Sequence, residues 1–377
     1  MLKVLQWVTV ATCALMVGGT LVSSVSRSPR WYVRLWDFPR FQIAGLAAGG
    51  GALYAWLFFR GHAWEWVLLA GTAACFLWQA HKIFRYTPFA STRVERSELA
   101  GRPRSGAGRD GRPTFRLLIS NVLMENTQHE RLVKLVRDSD PDVVLAVETD
   151  DAWARALEPL AKDYPHVVRQ PQDNWYGLML FSRLPLVDPR VEFLVQDDIP
   201  SVHTQVELED GVRLTLHGLH PRPPEPIRDQ DSTPRDAELV LMGRAIGDSP
   251  GTPTIVAGDL NDVAWSPSSE LFMRLSGLLD PRLGRGFYNS YNANVPIFRW
   301  PLDHVFHSNH FRLVELRRCP SIGSDHFPML IELSYEPDAP VEQPPEEEKP
   351  GDQEEAEEKI EEQVEAAKTG DDRPGRE

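Results

Sequence analysis

The chain has 377 residues, enough for one large domain or two smaller ones, and its net charge of −14 is spread unevenly. Residues 1–114 carry 14 Lys/Arg against 5 Asp/Glu (net +9), residues 115–335 carry 21 against 32 (net −11), and residues 336–377 carry 5 against 17 (net −12). Three cysteines, Cys13, Cys75 and Cys319, exclude a disulfide-dense secreted fold and offer no metal spacing, while the acidic middle disfavours a polyanionic partner unless a local basic lip overrides it.

The basic head predicts about three transmembrane helices, at 4–26, 41–59 and 64–81, within a membrane region of residues 1–85. The first run carries no charge, is longer than a signal-peptide core and has no clear Ala-x-Ala site after it, which favours an anchor over a cleaved leader starting at Lys3. Arg60-Gly61-His62 joins the second and third runs tightly, and Trp56, Trp64, Trp66 and Trp78 fall near the expected ends, where indoles favour the interface. The third run is the weakest of the three. With three crossings, Arg27, Arg30, Arg34 and Arg40 share a side with Lys82, Arg85, Arg93 and Arg96. The positive-inside rule then puts the rest of the chain on the cytoplasmic side of a multi-pass, bacterial-type inner membrane.

Residues 86–114 read as a linker, since Gly101–Gly108 lacks apolar periodicity. Residues 115–335 read as a compact α/β domain. Strand-length apolar runs occur at 115–120, 142–147, 177–181, 191–195, 202–208, 212–217, 254–257 and 328–333. Val202, Val206 and Leu208, then Val212, Leu214 and Leu216, alternate as antiparallel strands around Glu209-Asp210-Gly211. Leu132, Val133, Leu135 and Val136 repeat at helical spacing, and Ser266-Pro267 reads as an N-cap with Pro at the first helical position. Many short strands and few helices predict two stacked, mostly antiparallel sheets flanked by helices. After Pro337 the chain is Pro- and Glu-rich, and residues 336–377 read as an acidic disordered tail whose Glu354–Lys368 stretch lacks an apolar face wide enough to dock.

Polar residues recur where these apolar runs end: Asn121, Glu148, His220, Asp259 with Asn261, Asp303, and Asp325-His326. Strand ends of this kind deliver side chains to a shared rim, and a rim of carboxylates, amides and histidines suits metal-assisted phosphate chemistry. Glu148 is the best candidate ligand for a hard cation such as Mg²⁺, which takes one or two protein carboxylates. Taken alone, it reads more often as a charge at a helix N-terminus than as a ligand. Asn121 and the Asp259/Asn261 pair read alone as turn residues; as a pair, Asp259 and Asn261 suit a water and a phosphate oxygen at once. His326 is the candidate base, Asp303 its orienting carboxylate, Asp325 a further metal contact, and His220 a donor to a phosphoryl oxygen. His217, His304 and His307 read as structural.

In order and context, Asn121, Glu148, His220, Gly258-Asp259-Leu260-Asn261, Leu302-Asp303-His304 and Ser324-Asp325-His326 resemble the endonuclease/exonuclease/phosphatase superfamily, the deoxyribonuclease I-like enzymes. The resemblance covers roughly residues 115–335. It implies an α/β (α+β) four-layer sandwich and phosphoester hydrolysis dependent on Mg²⁺ or Mn²⁺. By position, Asn121 and Glu148 resemble the metal-site pair, His220 the phosphate-contacting histidine, Asp259 and Asn261 the pair that orients water and phosphate, and Asp303 and His326 the acid–base dyad. Several nucleases of the family place a Glu or Tyr before the third strand to assist the leaving group. The corresponding stretch here offers Asp173 or Tyr176, without a choice between them.

Two substrate classes stay open. One is a phosphodiester of a lipid headgroup or small phosphoester, met by a membrane-tethered hydrolase. The other is DNA or RNA, for which Arg222, Arg228, Arg235, Arg282, Arg285 and Arg299 would form the lip; Tyr288, Tyr291, Phe298 and Trp300 suit either stacking on a base or insertion at a lipid surface. Arg222 and Tyr176 are the candidate substrate contacts. A non-catalytic scaffold is the third possibility, opposed by the completeness of the polar set.

Overall fold

The structure is a computed structural model that describes residues 1–25, 28–101, 112–208, 211–224 and 230–369. Four helices come first: α1 (Leu2–Val25), α2 (Trp31–Arg34), α3 (Arg40–Leu57) and α4 (Ala63–Phe84). There follow β1 (Thr114–Asn121), α5 (His129–Ser139), β2 (Val143–Val147), α6 (Asp151–Leu157), β3 (His166–Gln170), β4 (Leu178–Ser182), β5 (Leu186–Glu192), β6 (Ser201–Glu207) and β7 (Arg213–Leu219). The chain continues through α7 (Thr233–Gly247), β8 (Thr254–Asp259), α8 (Pro267–Ser276), β9 (Asp303–His307), β10 (Phe311–Arg318), β11 (Met329–Tyr335), α9 (Ala339–Glu342) and α10 (Asp352–Thr369).

The strands form a six-stranded sheet, β10-β11-β1-β2-β4-β3, and a five-stranded sheet, β5-β6-β7-β8-β9. Apolar residues from both inner faces, among them Leu117, Leu145, Leu180, Leu216, Ile255 and Ile331, fill the space between the sheets. Their outer faces are covered by helices. On the first, Leu132 and Val136 of α5 and Trp153 and Leu157 of α6 pack over Leu118 and Val144; on the second, Met242 and Phe272 pack over Val256 and Phe306. The result is the four-layer sandwich. Because β1, β2, β4 and β8 are buried on both faces, they read as continuous apolar runs.

β6 and β7 pair antiparallel in the predicted register, with Val206 opposite Leu214, while Glu209 and Asp210 of the expected turn lie outside the described residues. The predicted cap of α8 is present, the Ser266 hydroxyl accepting from the Ser269 N–H. Three strands, β3, β9 and β10, and the helices α6 and α7 carry no clean apolar run and were not expected from sequence.

Three expectations are corrected. Residues 86–101 of the expected 86–114 linker belong to the folded unit. Val94 is buried in the inter-sheet core, the Ser97 N–H donates to Leu313 C=O, and Leu313 N–H donates to Glu95 C=O, so this stretch extends the edge at β10. The rest of that linker, 102–111, lies outside the described residues. The tail is likewise ordered through α10, which docks on α7 and α8. Asp352, Ala356, Lys359 and Gln363 are its buried positions. They form one helical face, but a polar one, and so show no apolar stripe. Its anchors are ionic: Lys359 Nζ lies 2.9 Å from Asp236 Oδ2, and the Arg274 guanidinium grips Asp352 at 2.6 and 2.8 Å. The end of the expected tail, 370–377, lies outside the described residues.

The third correction concerns which apolar helix is weakest. Leu2–Ser24 and Ala63–Phe84 are long and apolar enough to cross a membrane by length and composition. The 18-residue α3 is the short one, spanning about 27 Å against a hydrocarbon core of about 30 Å. Met16, Ile43, Ala47 and Cys75 pack α1, α3 and α4 together, while Trp7, Leu15, Leu46, Trp56, Trp66, Val67 and Leu77 face outward. Arg34 and Arg40, counted above as free loop charges, are buried on Asp37.

Glu238 on α7 is 3% exposed, and burial pushes its carboxyl from 4.5 up to about 8. The folded chain therefore holds a proton that the unfolded chain releases at lower pH, so stability declines as pH rises between those values. Glu238→Gln is expected to melt like the parent near pH 5 and to be more stable by roughly 2–4 kcal/mol near pH 9. Equal melting temperatures at both pH values would refute this.

Candidate active site

The two parallel strand pairs, β1/β2 and β7/β8, carry their C-terminal ends to one rim of the sandwich. Asn121 closes β1, Glu148 follows β2, His220 follows β7 and Asp259 closes β8. Asp303, opening the antiparallel β9, is the direct partner of Asp259 in the ladder. His326 arrives from the segment before β11. At Gly258 the chain passes so close to β7 that a Cβ would sit 1.9 Å from Leu219 C=O, and its φ of +146° is open to glycine alone.

Asp259 Oδ2 is the point of convergence. It accepts from Asn121 Nδ2 at 3.0 Å, lies 3.5 Å from His326 Nε2 and 4.0 Å from His220 Nε2. Asn121 Nδ2 also donates to Glu148 Oε1 at 2.7 Å, linking the two expected metal-site residues. Behind His326, Nδ1 donates to Asp303 Oδ2 at 2.8 Å, which leaves Nε2 facing the site. Asn121, His220, Asp259, Asp303 and His326 are all at most 4% exposed.

The turn readings and the site readings of Asn121 and Asp259 prove compatible. Asn121 Oδ1 accepts from Leu123 N–H while its amide nitrogen faces the site, and Asp259 Oδ1 accepts from Asn261 N–H while Oδ2 faces the site. Glu148 is not the helix charge it resembles: Asp150 caps α6 by accepting from Trp153 N–H. Glu148 and Asn261 hold left-handed φ values of +61° and +51°, conformations costing about 1–3 kcal/mol each and typical of functional sites. Asn261 Nδ2 donates to Pro221 C=O, fixing the residue that follows His220.

Electrostatically the groups separate. Glu148 keeps some exposure, yet burial pushes its carboxyl up to about 7, with the charges of Asp259 and Asp325 adding to the rise and the Asn121 hydrogen bond opposing it. Burial alone would depress His326, but Asp259, Asp303 and Asp325 together hold it up at about 10. Burial takes His220 down to about 4, so it is neutral near pH 7. His220 Nδ1 and Asp303 Oδ1 are buried without a partner among the described residues. His217, paired with His203 at 2.7 Å, His304, held by Arg282 and Asp262 C=O, and His307 are structural, as expected.

The expected substrate contacts divide. Tyr176 lies beside the site, its ring 5.5 Å from that of His220. Arg222 is buried behind it, with its guanidinium over the Tyr176 ring at 5.2 Å and on Asp198 at 2.6 Å. Most of the expected basic lip is turned inward: Arg235 is buried with Asp236 and Asp262, Arg282 with Asp280, and Arg285 binds the Pro281 and Val94 carbonyls. Arg228 lies outside the described residues. Two serines not singled out complete the site: Ser290 Oγ accepts from Leu302 and Asp303 N–H, and Ser324 Oγ accepts from His326 N–H. The adjacency of Ser324 to Asp325-His326 was the one local signal for either. Tyr291, expected as a stacking residue, lies with its ring 4.9 Å from the His326 ring.

Residues 118–326 match the Endonuclease/Exonuclease/phosphatase family, over half of the chain and with every expected site residue inside the match. The chain belongs to this family. It is a hydrolase of phosphoester bonds, and the two-sheet core is that of the deoxyribonuclease I-like sandwich. No curated protein matches it in sequence. Similar solved structures include D. rerio TDP2 complexed with single-strand DNA product, at 20% identity and a TM-score of 0.49 over 58% of this chain and 98% of that one. The human Nocturnin catalytic domain with bound sulfate follows at 16%, 0.48, 59% and 94%. Sphingomyelinase C from Streptomyces griseocarneus gives 18%, 0.44, 58% and 99%.

Proposed function

We propose that this family member is a membrane-anchored phosphodiesterase that hydrolyses lipid-headgroup or small phosphodiesters through a water activated by the His326–Asp303 dyad. The observation that carries this reading is the convergence of Asn121, His220 and His326 on one oxygen of Asp259. Asp303 holds the imidazole so that Nε2 faces the reacting water, and Asp259 with Asn261 orients that water and a phosphate oxygen. Neutral His220 donates to a phosphoryl oxygen, and the nearness of the Tyr176 ring, 5.5 Å from that of His220, favours Tyr176 over Asp173 as the group that assists the leaving oxygen.

The donor set fits a hard divalent cation, Mg²⁺ or Mn²⁺. The charges of Asp259 and Asp325 bear on Glu148; the carboxylates of Glu148 and Asp325 would hold the ion, and Asn121, whose Nδ2 faces the site, would add its Oδ1 on turning its amide away from Leu123 N–H. Asp259, Asp303 and His326 also bring ligand atoms within 4.8 Å of one another. There, however, the facing Asp303 and His326 atoms are committed to their mutual hydrogen bond, so the Glu148 position is preferred. When bound, such an ion supplies positive charge to the phosphoryl oxygens and offsets the carboxylates that keep His326 protonated. Glu148→Gln is expected to abolish the rise in melting temperature on adding Mn²⁺; an undiminished rise would move the ion elsewhere.

Two apolar helices with outward-facing Trp, Leu and Val support the anchor; with α3 as a third, short crossing, Arg27 and Arg30 fall on one side with Lys82, Arg85, Arg93 and Arg96, which favours a cytoplasmic catalytic domain. A reporter fused after Glu377 tests the side: activity in the periplasm would overturn that orientation. The nuclease alternative needs a cationic surface, and the inward turn of Arg222, Arg235, Arg282 and Arg285 removes most of it. The deciding experiment offers the full-length protein, with Mg²⁺ or Mn²⁺, a bis-aryl phosphodiester, phospholipid vesicles, sphingomyelin, plasmid DNA and an abasic oligonucleotide in parallel. Turnover of the bis-aryl compound and lipid is expected; nicking of DNA alone, lost in His326→Ala, would replace this reading with the nuclease.

A further inference from the structure

A cleft of about 660 Å³ opens between α3 and the segment that precedes β9. Phe41, Gly45 and Leu46 of α3 form one wall, and Ile297, Phe298 and Trp300 the other. Gln42 ties the two together, its Nε2 donating to Ile297 C=O at 2.6 Å. The cleft touches the catalytic centre through two rings: Trp300 stacks on Tyr291 at 6.1 Å, and Tyr291 lies 4.9 Å from His326. A second apolar cleft of about 440 Å³, beside Trp36 and Phe38, shares Phe298 and Trp300 as its wall.

The lining is apolar but holds polar atoms in need of partners. Trp300 Nε1, Asn289 Oδ1 and Gln42 Oε1 are buried without a hydrogen bond among the described residues. A buried N–H donor left unmet costs the fold, and an ester carbonyl would accept from it. Beside His326, Arg299 and Arg318 both lie over the Phe327 ring, at 5.0 and 4.5 Å from its centre. Both donate to backbone carbonyls and neither has a carboxylate partner among the described residues.

Resting on the phosphodiesterase reading, we infer that this cleft holds an acyl chain of a membrane phospholipid while its phosphodiester lies at Asp259 and His326. An acyl chain gains by burial against Phe41, Leu46 and Ile297. The ester linkage meets Trp300 Nε1–H, and the anionic headgroup meets Arg299 and Arg318. The second cleft, across the Phe298–Trp300 wall, accommodates the other chain of a diacyl lipid. A helix of the anchor thus forms half of the substrate site, which delivers lipid from the bilayer to the dyad without full extraction into water.

Gly45 allows a test that spares the fold, since a Cβ there meets nothing within 4 Å. Gly45→Phe fills the cleft, and Ile297→Glu, at a position 67% exposed, places a charge in it. The full chain is reconstituted with Mg²⁺ in vesicles of phosphatidylcholine and phosphatidylglycerol carrying a diazirine on one acyl chain. After irradiation, adducts are expected on residues 41–46 and 287–300, and are expected to be lost in both variants. Phosphatidylglycerol hydrolysis should fall about tenfold or more in both variants while turnover of a bis-aryl phosphodiester stays unchanged. Adducts confined to the outer faces of α1 and α4, adducts undiminished by Gly45→Phe, or a cross-link between two copies through the cleft would overturn the inference. Bis-aryl turnover without cleft adducts would remove the lipid groove alone. Cleft adducts without hydrolysis of either substrate would instead remove the phosphodiesterase reading and leave the groove in place.

Discussion

His326→Ala is expected to lower kcat for phosphodiester hydrolysis by about a thousandfold, the scale of a lost acid–base group. Asp303→Asn should lower it by about a hundredfold, because the amide no longer fixes which ring nitrogen carries the proton. Steady-state rates on a bis-aryl phosphodiester, with thermal melts as a check on folding, measure both. The loss should fall on kcat more than on KM, since the dyad acts on the water and not on substrate binding. A drop below tenfold in His326→Ala would remove His326 from the chemistry. The same residue makes a pH-dependent contribution to the metal-free fold. Its folded pKa of about 10 exceeds the ordinary 6.5, so the stabilisation is complete below the lower value and disappears as pH climbs through the upper one. The difference in melting temperature between the parent and His326→Ala should therefore shrink from pH 7 toward pH 10 in chelator.

Lys359→Met is expected to destabilise the full chain by about 1–3 kcal/mol, the cost of removing one of the two cations on a buried carboxylate whose Oδ1 Arg235 still holds. Lys359 and Asp236 are 5% and 1% exposed, and Asp236 Oδ2 has Ser232 Oγ as its other donor. Burial would raise the Asp236 carboxyl, yet Lys359 and Arg235 outweigh it and hold the group far below the usual range. The contribution is thus present at any pH above the ordinary carboxylate range and is lost only in strong acid. Chemical denaturation of the parent, Lys359→Met and a chain ended after Glu348 checks the point. Similar midpoints for all three would mean that α10 adds nothing to the fold. The shortened chain should be the least stable, because it also uncovers Val240, Leu271 and Leu275 beneath Ala356.

Legibility in the sequence followed burial. β1, β2, β4 and β8 are buried on both faces and announce themselves as unbroken apolar runs. β3 and β10, at the sheet edges, carry Arg169, Arg312 and Glu315 in their ladders and give no such run. α10 was missed for the opposite reason to a weak helix: its docking face is built from Asp352, Lys359 and Gln363, residues that in isolation signal solvent. Its partners Asp236 and Arg274 lie 123 and 78 residues away, and no local pattern pairs them.

The identities at the ends of the strands were enough to name the chemistry: hard oxygen donors, an amide and imidazoles, spaced by apolar runs, belong to phosphate hydrolysis wherever the chain carries them. The candidate dyad and the two stacked sheets follow from those local identities and the apolar runs, the family and its four-layer sandwich from the resemblance the ordered motifs carry; the shared rim itself comes from the pairing of β1 with β2, β7 with β8 and β8 with β9. Which arginines remain outside, and which turn residues also serve the site, depended on packing between segments remote in the chain. The ladder between β8 and β9 sets Asp259 beside Asp303, which holds His326 against Asp259 Oδ2, Arg235 is drawn inward by Asp262, and Gly45 faces Ile297, 252 positions further along the chain. Such long-range pairings are set by the global burial of charge and apolar surface, which no single window of residues encodes.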